Sequence, residues 1–124
     1  GVLIGSPVGG TMMPILQAAV GRRTRLIHPV GLEKRVERPI NELAALANRS
    51  GDSKGLRLLE SCGEVYTELH AIEALFSLRA NLLAAGGVCG AEGSVLLTLG
   101  GSEENLLRAE RYFRSIQDTP SFSL

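Results

Sequence analysis

Val2-Leu3-Ile4-Gly5-Ser6-Pro7-Val8-Gly9-Gly10-Thr11 opens the chain, runs into Met12-Met13-Pro14-Ile15-Leu16-Gln17-Ala18-Ala19-Val20-Gly21, and leads to Thr24-Arg25-Leu26-Ile27-His28-Pro29. Val2-Leu3-Ile4 is short, apolar and ends at a glycine, the pattern of a buried strand. Thr11 is placed to cap a helix reaching Val20, with Pro14 in the first turn, where its missing N–H breaks no helical bond. Gly21 is the natural stop. Thr24 to His28 reads as a second strand, cut off by Pro29. Strand, helix and strand within 28 residues predict a βαβ unit with parallel strands and a right-handed crossover.

Working outward, Val30 to Arg38 is open between a sheet extension at Val30-Gly31-Leu32 and a solvated turn at Glu33-Lys34-Arg35. Pro39 suits the first turn of a helix running to about Asn48. Arg49 to Gly55 is a polar loop. From Leu56 to about Ala84, Leu58, Cys62, Val65, Leu69, Ile72 and Phe76 recur at helical spacing, with Glu60, Glu64 and Glu68 opposite. This predicts one long helix. Beyond Ala74, Leu75, Leu78 and Leu82 make it apolar all round, so a second cover is expected there, from another subunit. Gly63 weakens such a helix by about 1 kcal/mol and implies a close neighbour.

Gly86 to Gly93 is a glycine-rich connection, and Ser94 to Leu99 is the clearest strand. Ser102 caps a final helix with Glu103 and Glu104 in its first turn and Leu106, Ala109, Phe113 and Ile116 inward. The expected fold is α/β: one domain over residues 1–117, with three strands and a candidate fourth in a mostly parallel sheet. Helices, one of them long, pack that sheet. Residues 118–124 form a tail whose Phe122 and Leu124 dock on a neighbour. So narrow a sheet leaves edges that a homo-oligomer would pair.

Apolar residues make up 44% of the chain and charged residues 21%, which argues against disorder. Thirteen basic residues balance thirteen acidic ones, so little long-range attraction to nucleic acid or an anionic membrane surface is expected. Near-zero charge also favours self-association. No apolar run reaches the roughly 18 to 20 residues of a membrane helix, and no signal peptide stands at the start of the sequence, so a cytoplasmic location is expected. Cys62 and Cys89 fit no metal spacing and are expected as reduced, buried thiols.

The first candidate site is the loop Gly5, Ser6, Gly9, Gly10, Thr11. Glycines after a strand let backbone approach a ligand, and a helix N-terminus attracts an anion. The Ser6-x-x-Gly9-x-Thr11 spacing resembles the phosphate loop of flavodoxin-type proteins. That resemblance, confined to the loop, implies hydroxyls and backbone N–H groups holding a flavin phosphate. Pro14 removes one donor, the repeated strand–helix units of that fold do not follow, and only Tyr66 and Tyr112 could stack on a flavin, so the cofactor is left open. The loop is neither G-x-G-x-x-G nor a P-loop.

His28 ends the second strand, where ligands of parallel sheets gather, and would face the same crevice as a cation or general base. Its simpler role is to close a strand by hydrogen bonding. Cys62, Tyr66, His70 and Glu73 form a polar seam on the expected long helix. His70 and Glu73 would need a symmetric partner to complete a metal site, and otherwise form an i,i+3 pair. Cys89 and Glu92 lie in the glycine-rich connection, which would suit an anion or close subunit packing, with no base in view to activate the thiol.

Two functions follow. One is a module binding an anionic or phosphorylated small molecule at Gly5–Thr11 and His28. The other is a homo-oligomeric structural or regulatory assembly module without catalysis, similar in broad pattern to small proteins that pack into rings or shells. An enzyme using His28 or Cys89 lacks an acid–base pair that can be named.

Overall fold

Strand pairing departs from the βαβ expectation at the first strand. In a computed structural model describing residues 1–52 and 54–120, β1 (Val2–Ile4) precedes α1 (Met12–Ala19) and β2 (Ile27–Pro29), as the sequence predicts. The two strands do not pair with each other. β1 lies antiparallel to β3 (Leu59–Ser61), with Leu3 opposite Glu60. β2 lies parallel to β4 (Glu64–Tyr66), with His28 opposite Val65. A third pair, β5 (Arg79–Ala85) and β6 (Val95–Gly100), is antiparallel. The fold therefore has four α-helices and three two-stranded sheets of mixed direction among the described residues, not a mostly parallel sheet of three or four strands.

The reason lies in residues 59–66. The helical spacing of the leucines around them hides two short strands; as β3 and β4 they are the partners that β1 and β2 need. Only α3 (Glu68–Phe76) of the stretch from Leu56 to Ala84 is helical. Thr67, extended at φ −123°, donates its N–H to His70 Nδ1 (3.1 Å), a reciprocal cap that starts the helix there. Ser77, left-handed at φ 54°, ends it. After Ser77 the pattern has period two: Leu78 is buried and Ala80 and Leu82 half-buried, while Arg79, Asn81 and Leu83 are exposed.

The chain divides into two compact units, one of Gly1–Val30 with Lys34–Tyr66, the other of Gly31–Glu33 with the chain from Thr67 onward. In the first, Pro39 precedes α2 (Ile40–Asn48), and Asn48 then behaves as one rung of a sheet. Its Nδ2 donates to the Leu58 carbonyl (2.7 Å) and its Oδ1 accepts the Leu58 N–H (2.8 Å). Both backbone groups of Leu58 are thereby satisfied just before β3 begins. Asn48→Ala leaves both without that partner and should lower the stability of this unit by about 1–3 kcal/mol. An unchanged urea midpoint would show that the clamp contributes nothing.

In the second unit, α3 and α4 (Glu103–Ile116) pack with the β5–β6 hairpin around Ile72, Phe76, Leu78 and Ala109. Ala80, Leu97, Leu99 and Leu106 pack against this cluster. Ser102 caps α4, its Oγ accepting the Asn105 N–H (3.3 Å). Arg108 donates to the Leu75 carbonyl at the end of α3 and lies 5.6 Å from the Phe76 ring centroid. The Leu32 N–H donates to both carboxylate oxygens of Glu68 (3.2 and 3.1 Å), which seats the buried Leu32. Among the described residues no helix is long and apolar enough to cross a membrane. Phe122 and Leu124, expected to dock on a neighbour, lie outside the described residues.

Candidate functional site

The glycine loop folds as a tight turn. The Gly9 N–H donates to the Ser6 carbonyl (3.1 Å), and Gly9 and Gly10 are both left-handed, at φ 75° and 56°. A side chain at Gly9 would strike Met13, so the glycine is required by packing within the turn. Gly5 sits beside Leu58 in the same way. Thr11 has helical backbone angles, and its hydroxyl makes no capping hydrogen bond. Gly5, Ser6, Gly9, Gly10 and Thr11 thus stand together at the start of α1, as their spacing predicts.

His28 does not join them across a crevice. It is 5% exposed, against the β3–β4 turn. Its Nε2 donates to the Cys62 carbonyl (3.2 Å) and lies 3.2 Å from the Ser61 hydroxyl, which itself donates to that carbonyl (3.5 Å). A ring nitrogen that donates has no lone pair with which to take the serine proton, and Ser61 is 0% exposed. His28 therefore ties two strand pairs together instead of facing solvent. A cleft of about 260 Å³ does lie between α1 and β2, lined by Val2, Met12, Ile15 and Leu26 to Val30. Its lining is apolar apart from His28 and includes none of Gly5–Thr11.

Beside this cluster Arg25 forks onto Glu64 (2.9 and 2.6 Å). The guanidinium holds the Glu64 carboxyl below its usual range. Both side chains are mostly exposed, so the pair guides the β2–β4 register and adds little to stability.

The polar seam expected on one helix is divided among elements. Cys62 is exposed in the β3–β4 turn, Tyr66 is in β4, and His70 and Glu73 are in α3. His70 Nδ1 is engaged by Thr67, whose hydroxyl lies 3.0 Å away. No group of three metal-binding side chains gathers among the described residues. Cys89 is exposed and left-handed at φ 56° in the β5–β6 connection, so the buried thiols expected from composition are surface thiols. The Gly90 N–H there is taken by Glu92 (2.9 Å) and the Gly86 N–H by the Ser94 carbonyl (2.9 Å). The connection is closed on itself by its own hydrogen bonds.

The largest unsatisfied feature is apolar surface. Leu83 and Leu96 are 60% and 59% exposed on the outer face of the hairpin, and Leu75, Leu107, Tyr112, Phe113 and Ile116 are exposed on α3 and α4. Leu78, expected on an interface, is instead 1% exposed in the core. A groove of about 770 Å³ runs between β6 and α4, lined by Leu99, Leu106, Glu110, Phe113, Arg114 and Gln117. The sequence places Leu106, Ala109, Phe113 and Ile116 on one inward face; Ala109 is buried, but Phe113 and Ile116 are 37% and 44% exposed. Compared with known proteins, the chain matches no family, no curated protein and no solved structure.

Proposed function

We propose that this chain is a homo-oligomeric assembly module, whose role is to build a structural or regulatory complex from copies of itself. The observation that carries this is uncovered apolar side chains on the hairpin and α4. Leu83 and Leu96 are 60% and 59% exposed on the hairpin, and Leu107, Tyr112, Phe113 and Ile116 are 37–46% exposed on α4. Both outer edges of the β5–β6 pair lack a strand partner among the described residues, and an uncovered edge invites pairing.

The α1 N-terminus has only its own turn to recommend it as an anion site, since His28 is engaged elsewhere. Native mass spectrometry of the purified chain at about 10 µM, a concentration at which micromolar interfaces are populated, should show a multimer. Leu96→Glu should reduce the mass of the assembly while far-UV circular dichroism stays unchanged, because Leu96 is exposed and outside the core. A wild-type chain that is monomeric at ten times that concentration overturns the proposal.

A further inference from the structure

The groove between β6 and α4 joins an apolar floor to a charged rim. Its floor is Leu99 and Leu106, which pack on the core, and its wall is Phe113, 37% exposed, whose ring meets Phe76 edge-on at 5.9 Å. Leu106, Glu110, Phe113 and Gln117 follow the 4-3-4 spacing by which one helix meets another along a seam. Within the seam Glu110 and Arg114 stand one turn apart, paired at 2.7 Å, with side chains 54% and 76% exposed. One acid and one base side by side make a surface that is complementary to itself when turned by a two-fold axis.

We infer that α4 packs antiparallel on the α4 of a second copy across such an axis. Glu110 then meets the partner's Arg114, while Arg114 meets the partner's Glu110, the reciprocal contact that an isologous interface demands. Phe113 lies next to the axis, and Leu106 floors the groove toward its end. A chain with thirteen charges of each sign has no net field opposing the approach of a copy, whereas an acidic or basic partner would meet a like charge at one of the two positions. This inference rests on self-assembly as proposed above and names the contact that drives it.

The test uses full-length Glu110→Arg and Arg114→Glu. Each alone places two like charges at both crossings of the axis. Each should fall to half the wild-type mass or less in native mass spectrometry, with helical content retained because both side chains are exposed. The dimer dissociation constant should rise at least about tenfold. Mixed in equal amounts, the two variants should recover a heterodimer, since the arginines of one then face the glutamates of the other. A wild-type monomer would overturn the assembly proposal and this contact with it. Variants that keep the wild-type mass would leave assembly standing and overturn the α4 seam. Monomeric variants that fail to recombine would overturn the reciprocal charge pairing.

Discussion

Leu78→Ala should lose about 2–5 kcal/mol, the cost of removing a buried leucine side chain and leaving a cavity. Leu78 is 1% exposed, at the junction where α3 ends and β5 begins, and it belongs to the buried cluster with Ile72, Phe76 and Ala109. Gly101 packs directly on it; a side chain there would collide with its Cδ2. The chain from Thr67 onward is small, and domains keep only about 0.05–0.15 kcal/mol per residue. The loss is therefore comparable to the whole stability of that unit. Urea denaturation followed by circular dichroism should show the unit unfolding at much lower denaturant, or unfolded in buffer. Leu78→Glu, which would dissociate an oligomer if Leu78 lay on an interface, should unfold this unit instead. A folded monomeric Leu78→Glu protein would refute the core placement.

Gly63→Ala is the second large effect, and it acts on the other unit. Gly63 sits at φ 152° in the turn between β3 and β4, a region that side chains rarely adopt. An added methyl would stand 2.6 Å from His28 Nε2 and 3.0 Å from the Leu26 carbonyl. The imidazole cannot retreat without losing the Cys62 carbonyl and the Ser61 hydroxyl, and a backbone oxygen cannot retreat at all. Backbone strain and overpacking together should cost about 2–4 kcal/mol. The expected readout is a lower thermal midpoint and loss of protection at the Glu64 amide, which donates to Leu26 (2.9 Å). A midpoint within 1 °C of wild type, the kind of shift a surface substitution gives, would show that the turn has room.

Gly63 also shows how far the sequence could be read. A glycine inside an apparently helical run implied a close neighbour; the neighbour exists, as His28, and the helix does not. For His28 the sequence offers a strand-closing role, which describes its place, and a crevice role, which requires β1 and β2 to be adjacent. The glycine loop was located correctly as a strand-to-helix turn, because Gly9 and Gly10 need left-handed angles regardless of what lies beyond them. The groove on α4 was half visible: Leu106 and Phe113 were recognised as apolar, but how much of each the core would cover depends on the width of the sheet beneath.

Elements that begin and end on local chemistry were legible in residue order alone. Pro39 opens α2, Ser102 caps α4, Gly21 follows α1, and Val95 to Leu99 declare β6 by composition. Each of these signals is carried by a few adjacent side chains acting on their own backbone. Thr67 and His70 carried such a signal too, but the leucines around them matched a longer helical period and concealed it. Which strand pairs with which lay beyond any local window. β1 finds its partner more than fifty residues away and β2 more than thirty, and a three-residue strand has almost no preference until a ladder partner satisfies its N–H and C=O groups. Pairing between distant segments, and the burial that follows from it, turned half of an apparent helix into the sheets of this protein.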